Sequence, residues 1–284
     1  MTTQTPNPTR RWEFRIWGCN GGVSVGGDGR ALHGGLTTCL ELDLPDARII
    51  IDAGTGLPHL GRVRGVDRKP TRLLMSHLHW DHVVGLPHWH PLFAKDWDLE
   101  VHGVPREGAG VWDWMTRFNG PPAFPVPLAD AAGARVATRD LESSGGDHFG
   151  GVDYRWMEVA HPGGCSAFSF DVGGLRIVFS GDLEVSRMDR DALLQFCEGA
   201  DVLIMDAQYT EGQYPRHDGW GHSTNLQAAS IAAEAGVGRL LLSHHDLRHD
   251  DAALQAMARE AREAFEATES ARCGMIVAEG VLDE

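Results

Sequence analysis

Cysteine and long apolar runs are both scarce in this chain of 284 residues. The five cysteines stand at irregular spacing and form no CxxC pair, which argues against a disulfide framework. No apolar run approaches the ~20 residues that a membrane helix needs, and Met1–Arg11 lacks the apolar core of a signal peptide. These absences predict a soluble, cytoplasmic protein in a reduced compartment.

Basic residues are also few, since 25 Lys and Arg stand against 40 Asp and Glu, for a formal net charge of −15. An acidic surface repels phosphate backbones at long range, which argues against a general nucleic-acid binder. Hydrophobic residues make up 42% of the chain, enough for a sizeable core. We expect one α/β domain over residues 1–284, with residues 1–11 flexible.

Apolar strands and helical stretches alternate along most of the chain. A strand at Trp12–Trp17 precedes a glycine-rich loop, Gly18–Thr38, and a hairpin follows at Cys39–Leu44 and Arg48–Ile51. Short apolar runs predict further strands at Leu73–Met75, Leu99–His102, Tyr154–Val159, Ala167–Phe170, Leu175–Phe179, Val202–Met205, Leu240–Leu242 and Met275–Ala278. Helices are predicted at Met188–Cys197, Asn225–Ala235 and Ala252–Ala267.

Four of the predicted strands end in a side chain that can bind a metal. His77 follows the run at Leu73, His161 follows Val159, Asp182 follows Phe179, and His244 follows Leu242. Strand ends in open α/β sheets line a crevice where ligands bind. A single histidine or aspartate in such a place is more often an ordinary surface or turn residue, but four such endings together favour a metal site.

The first ending is the densest, because it reads His77-Leu78-His79-Trp80-Asp81-His82. Alternate positions of an extended chain face the same side, so His77 and His79 can share one metal. Zinc accepts neutral imidazole nitrogens and carboxylate oxygens. We therefore predict two divalent cations, zinc with Mn²⁺ or Fe as alternatives. The two sets of ligands share a bridging carboxylate: His77, His79 and His161 for one cation, Asp81, His82 and His244 for the other, and Asp182 for both.

This set of residues resembles the metallo-β-lactamase superfamily, whose hallmark is HxHxDH with His, Asp and His later in the chain. Asp52-Ala-Gly-Thr-Gly resembles the family's turn before the hallmark, and Gly34-Gly35-Leu36-Thr37-Thr38-Cys39 resembles the GGNTxC of its phosphodiesterase branch, with Leu36 replacing Asn. The resemblance spans nearly the whole chain. It implies a four-layer αβ/βα sandwich, with two sheets face to face and helices outside.

Within that family, individual residues favour some branches over others. The flavin-associated diiron branch has Glu where this chain has His79, and true zinc β-lactamases usually lack the aspartate found here as Asp182. The chain is more similar to the branches that hydrolyse with two metals, namely glyoxalase II-like thioesterases, tRNA 3′-processing endonucleases and small phosphodiesterases.

Gly221-His222-Ser223-Thr224 resembles the HST segment of the tRNA-processing and phosphodiesterase branch. A histidine there can protonate the leaving alkoxide of a phosphodiester, so we count His222 and the ligand Asp81 as catalytic residues; the plainer alternative is that His222 only helps to start a helix. The polar, aromatic stretch before it offers four candidate substrate contacts or solvated loop residues: Tyr209, Tyr214, His217 and Trp220. His245 is a candidate to orient a ligand imidazole.

Asp182 follows His161 by only 21 positions, whereas the tRNA-processing enzymes in their usual form insert a long basic arm there. The missing arm and the negative charge make a folded RNA an unfavourable substrate. We predict a phosphodiesterase for a small diester such as a cyclic nucleotide, with a metal-bridging hydroxide as nucleophile.

Other activities remain open at this stage. One alternative is hydrolysis of a carboxylic ester, thioester or lactone; another is a mononuclear iron persulfide dioxygenase on the same scaffold. A homodimer is also expected, because Val111-Trp112-Asp113-Trp114-Met115 has the composition of an exposed apolar loop.

Overall fold

A computed structural model describes residues 10–27 and 29–282. The strands in chain order are β1 (Arg11–Gly18), β2 (Cys39–Asp43), β3 (Arg48–Ile51), β4 (Thr71–Leu74), β5 (Asp98–Gly103), β6 (Arg135–Asp140), β7 (Ser144–Phe149), β8 (Val152–Val159), β9 (Cys165–Val172), β10 (Leu175–Phe179), β11 (Val202–Asp206), β12 (Arg239–Ser243), β13 (Thr268–Ser270) and β14 (Met275–Val281).

Within the residues that the structure describes, seven α-helices connect or cover these strands: α1 (Gly56–Arg64), α2 (Trp80–Val83), α3 (Val111–Phe118), α4 (Leu128–Ala131), α5 (Arg190–Cys197), α6 (Asn225–Glu234) and α7 (Asp251–Arg262). Short 3₁₀ turns lie at Leu86–His88, His90–Phe93, Val185–Arg187 and Tyr214–Arg216. None of the helices in the described ranges is long and apolar enough to cross a membrane.

The strands form two seven-stranded sheets with the same plan. The first has the order β14-β1-β2-β3-β4-β5-β6 and the second has the order β13-β12-β11-β10-β9-β8-β7. In each sheet one half is antiparallel and the other half, β3 to β6 or β10 to β13, is parallel.

Side chains alternate between the two faces of each sheet, so the protein has one core between the sheets and one on each outer face. Ile49 and Ile51 of β3 pack in the core between the sheets, whereas Ile50 between them packs on the outer face. Leu241 of β12 faces the inner core, and Leu240 faces outward. Successive side chains of a strand point to opposite faces, so strands buried on both sides carry continuous apolar runs.

Helices cover both outer faces. Leu57 of α1 and Met115 of α3 pack on the first sheet, and Leu193 of α5, Ile231 of α6 and Ala261 of α7 pack on the second. The predicted four-layer αβ/βα sandwich is therefore confirmed.

Three details differ from the sequence-based expectations. Arg11 lies in β1, paired with Val281, rather than in a flexible segment, and residues 1–9 of that prediction lie outside the described ones. The last helix ends at Arg262, because the chain turns there to form β13, which pairs with β12. The segment from Val111 to Met115 is not an exposed loop but part of α3, with both of these residues buried. The expected homodimer, which was based on that segment, stays a prediction.

The parallel strands place their carboxyl ends at one edge of the molecule. Asp52 follows β3, His77 lies three residues after β4, Asp182 lies three residues after β10, and His244 directly follows β12. Parallel neighbours end on the same side of a sheet, so side chains distant in sequence converge at that edge.

Candidate metal centre

Three histidines converge where β4 and β8 end. His77 follows β4, His79 immediately precedes α2, and His161 follows β8. Each brings a ring nitrogen within 4.8 Å of the other two, and Nδ1 of His79 is 3.0 Å from Nε2 of His161. Imidazole nitrogens facing one point are the donor type that zinc and other first-row cations bind. These are the histidines that the sequence assigned to the first cation.

A second group combines Asp81 and His82 from α2 with His244 after β12. Nε2 of His244 is 3.2 Å from Oδ2 of Asp81 and 3.4 Å from Nε2 of His82. All three side chains are buried. The structure therefore also brings together the three residues that the sequence assigned to the second cation.

Asp182 lies between the two groups. Its Oδ2 is 3.0 Å from Nε2 of His244, 3.3 Å from Nε2 of His82 and 3.5 Å from Nε2 of His77. One carboxylate oxygen thus faces ring nitrogens of both groups, which is the placement that a bridging ligand requires.

Hydrogen bonds behind the cluster fix which ring nitrogens face it. Nδ1 of His82 donates to the carboxylate of Asp52 over 2.8 Å, so Nε2 is the ring nitrogen that faces the cluster. Ser76 gives its hydroxyl proton to Asp52 and must accept from Nδ1 of His77, so Nε2 of His77 carries a lone pair. Such outer partners set the tautomer and orientation of metal-binding histidines.

The donor set fits divalent cations. Nε2 of His77 is buried and has no hydrogen-bond partner within the described residues, although its lone pair points at Asp182. A ring nitrogen with a lone pair cannot form a hydrogen bond with a carboxylate oxygen, so Nε2 of His77 stays unsatisfied unless a cation binds it. Five imidazoles and two carboxylates suit zinc, and also suit Mn²⁺ or Fe.

Burial and charge act differently on the two groups. Burial lowers the pKa of His77 well below its usual range, and the nearby His82 lowers it further. Burial likewise lowers the pKa of His161. Burial also acts to lower the pKa of His244, but the negative charge of Asp182 and its hydrogen bond raise it to about 10. The first group therefore presents neutral nitrogens, whereas His244 holds a proton that a bound cation would replace.

His222 lies at the edge of this cluster. Its Nδ1 donates to Oδ2 of Asp206 over 2.7 Å, and its ring stacks on that of His244 with centroids 4.7 Å apart. A ligand atom of His222 also lies within 4.8 Å of ligand atoms of His161 and Asp182. His222 is thus placed either to donate a proton to a bound substrate or to act as an additional ligand.

Glu184 holds the segment that leads to His222. Its carboxylate accepts from the backbone N–H of Gly219 over 2.8 Å, from that of Gly221 over 3.0 Å, and from the hydroxyl of Tyr214 over 2.6 Å. The carbonyl of Gly221 in turn accepts from Nδ1 of His161 over 2.7 Å. The buried Glu184 therefore helps to orient a histidine of the first group through the backbone.

A cavity of about 480 Å³ opens over the second group and His222. Three of the four predicted substrate contacts line it, namely Tyr209, His217 and Trp220. Tyr214 is not among its lining residues, and its hydroxyl donates to Glu184. Arg248 also lines the cavity. Its guanidinium pairs with the carboxylate of Asp246 at 2.6 Å.

A family model for the beta-lactamase superfamily domain matches residues 47–245, a span that contains all seven candidate ligands and His222. The chain belongs to the metallo-β-lactamase superfamily. The resemblance to this superfamily inferred from the sequence is therefore confirmed.

Curated relatives of this superfamily member include ribonuclease BN of Escherichia coli. The protein from strain O1:K1 / APEC is 30% identical over 189 residues, which cover 66% of this chain and 54% of that relative. The protein from strain O17:K52:H18 is 31% identical over the same length. The chain spans about half the length of the curated relatives it matches.

Solved structures show the same fold at low identity. The metallo-β-lactamase fold protein YhfI from Bacillus subtilis has a TM-score of 0.73 at 20% identity and covers 95% of this chain and 100% of its own. A diphosphatase of the PhnP family has a TM-score of 0.69 at 16% identity, covering 97% and 100%. The short form of human tRNase Z has a TM-score of 0.67 at 20% identity, covering 94% and 98%.

Sequence reasoning missed several supporting residues of this metallo-β-lactamase site. Asp52 and Asp206 each stand at the end of a buried strand, so the rule that found Asp182 applies to them as well. Glu184 carried no comparable signal. His245 does not orient a ligand imidazole, because its Nε2 donates to the carbonyl of Ala271.

The glycine-rich N-terminal segment forms part of the same site. The backbone N–H of Gly22 donates to Oδ2 of Asp81 over 2.6 Å. Gly21 packs directly against His244, where an added Cβ would come within 2.3 Å of ring atom Cε1. Only a residue without a side chain allows the backbone to approach the imidazole this closely.

We therefore expect Gly21→Ala to displace His244 and to weaken metal binding ~10–100-fold, the loss typical when a residue that positions a metal ligand is changed. Metal titration followed by elemental analysis measures the effect. Gly26→Ala is the matched control, because a Cβ there meets nothing within 4 Å. Equal metal affinity in the two variants would contradict this packing argument.

Proposed function

We propose that the protein is a metal-dependent hydrolase that cleaves a phosphodiester bond in a small substrate. The observation that carries the proposal is the pair formed by His222 and Asp206 beside a cluster of seven candidate ligands. The curated relatives are named as ribonucleases, and a structural neighbour is named as a diphosphatase, which supports phosphorus chemistry.

His77, His79 and His161 would hold one divalent cation, Asp81, His82 and His244 would hold another, and Asp182 would contact both. Two such cations supply a nucleophile by lowering the pKa of water and neutralise charge on the phosphoryl oxygens.

The remaining steps fall to residues of this chain. Asp81 lines the cavity, and its carboxylate can accept a hydrogen bond from the attacking water and so orient it. The attacking water gives up one proton to solvent and its oxygen forms a bond to phosphorus, while the bond from phosphorus to the leaving oxygen breaks. His222 gives the proton on its Nε2 to that oxygen, while Asp206 stabilises the imidazolium through Nδ1. His222 then recovers a proton from solvent.

The size of the substrate follows from the shape around the centre. A plain hairpin, β9 and β10, fills the span between His161 and Asp182, and the chain carries a formal net charge of −15. Neither feature offers a grip on a folded RNA. A cavity of about 480 Å³ is within the size range of small-molecule sites.

An activity screen with metal content measured on the same sample tests the proposal. The metal-loaded protein should hydrolyse bis(p-nitrophenyl) phosphate and small natural diesters, and a tRNA precursor should be a poorer substrate. Activity confined to lactones, thioesters or carboxylic esters would contradict the proposal. So would one iron per chain together with oxygen consumption on a persulfide, because either result assigns the site to a different reaction.

A further inference from the structure

A second cavity, of about 580 Å³, opens beside the same cluster. Among the described residues, His79 is the only one that lines both this cavity and the one that contains His222. The second cavity also contains His77, so it reaches the first group of histidines. Two separate spaces therefore meet at one reaction centre.

The wall of the second cavity combines two aromatic residues with the charged Arg106 and Glu107. Trp114 and Phe118, four residues apart on α3, both line it, and their rings stack with centroids 5.6 Å apart. Leu78 and Pro162 line it as well. The cavity with His222 has aromatic residues of its own, Tyr209 and Trp220, beside three aspartates. The second cavity therefore offers a pair of aromatic rings to a group bound beside the histidines.

Hydrogen bonds and buried residues hold Trp114 and α3 in place. The indole N–H of Trp114 donates to the carbonyl of Arg106 over 2.8 Å, and Arg106 itself pairs with Glu158 at 2.6 Å. Val111 and Met115 are buried and anchor α3 on the first sheet. An apolar surface fixed before binding loses little conformational entropy when a ligand contacts it.

A phosphodiester has two substituents, of which one leaves and one stays on phosphorus. His222 lines the first cavity but not the second, so the proposed function puts the leaving group in the first. We infer that the second cavity binds the substituent that stays, with Trp114 and Phe118 selecting a flat aromatic group such as a nucleobase. The inference rests on the proposed function and deepens it, because it favours acyclic diesters with two separate substituents.

Two substrates with the same leaving group isolate this effect. Thymidine 5′-(p-nitrophenyl phosphate) and methyl p-nitrophenyl phosphate both react by addition of water oxygen to phosphorus and release of p-nitrophenolate. They leave thymidine 5′-phosphate and methyl phosphate, respectively. The wild-type protein should have the higher kcat/KM on the thymidine ester, and the ratio of the two kcat/KM values reports on the retained group alone.

We expect Trp114→Ala to lower this ratio about 10-fold, chiefly by raising KM for the thymidine ester, because contact between an aromatic side chain and a base is worth about that much. Trp114→Phe should restore most of the ratio. Trp112→Ala is the matched control, because Trp112 is on the same helix but is not among the residues that line either cavity. Metal content and thermal unfolding are measured for each variant.

The possible outcomes distinguish a failure of this inference from a failure of the proposed function. If the wild-type protein hydrolyses both esters but Trp114→Ala leaves the ratio unchanged, or the wild type prefers the methyl ester, the inference is overturned and the proposed function stands. If the wild-type protein hydrolyses neither ester, the proposed function fails and the inference fails with it. An equal loss on both esters with lower metal content would show that Trp114 only supports the metal site.

Discussion

Asp182→Ala is expected to abolish hydrolysis and to lower metal content to one cation per chain or fewer. Asp182 faces Nε2 of His244 at 3.0 Å and Nε2 of His77 at 3.5 Å, so the substitution removes the oxygen that both groups share. Loss of a residue that only orients a ligand costs ~10–100-fold. Loss of the shared carboxylate should exceed that range, because it removes a negative charge that both groups use to offset the two cations.

Elemental analysis and turnover of bis(p-nitrophenyl) phosphate, on protein checked for folding by circular dichroism, measure this outcome. Asp182→Asn is the second variant, because it keeps the shape of the side chain while removing its charge. Asp130→Ala, which removes an exposed aspartate of α4, is the matched control. A folded Asp182 variant with two cations and full turnover would contradict the shared-ligand assignment.

His222→Ala is expected to lower turnover by ~10²–10⁴-fold on a diester whose leaving group is an alkoxide, since general acid catalysis contributes that much. The same variant should lose far less on a p-nitrophenyl ester, whose leaving group departs as a stable anion. The physical reason is that His222, held by Asp206 at 2.7 Å, supplies a proton that only the poorer leaving group needs. A dinucleotide and bis(p-nitrophenyl) phosphate are suitable substrates.

Metal content separates this role from the alternatives. It should stay unchanged in His222→Ala, whereas a drop would show that His222 is a ligand, as its closeness to His161 and Asp182 allows. Small, equal losses on both substrates would instead assign His222 to the start of α6. His217→Ala, which removes another histidine of the same cavity, should show no dependence on the leaving group.

The buried strands were predictable because their signal is local. β3, β11 and β12 carry apolar runs that pack on both faces, and each matches its predicted position within one or two residues. The edge strands β6 and β7 gave no such signal, because most of their side chains are exposed. α3 was missed for another reason, since its three aromatic residues concealed the helical spacing of Val111 and Met115.

The sequence alone determined the candidate donor set, since each ligand stands just after a strand and the HxHxDH segment is contiguous. It could not determine which groups orient those donors. His82 is oriented by Asp52, 30 positions away, and His161 by Gly221, 60 positions away. It also could not show that Gly21 packs on His244. These contacts exist only once two sheets pack face to face and bring their strand ends to one edge, because hydrogen bonds and close packing depend on distances in space rather than along the chain.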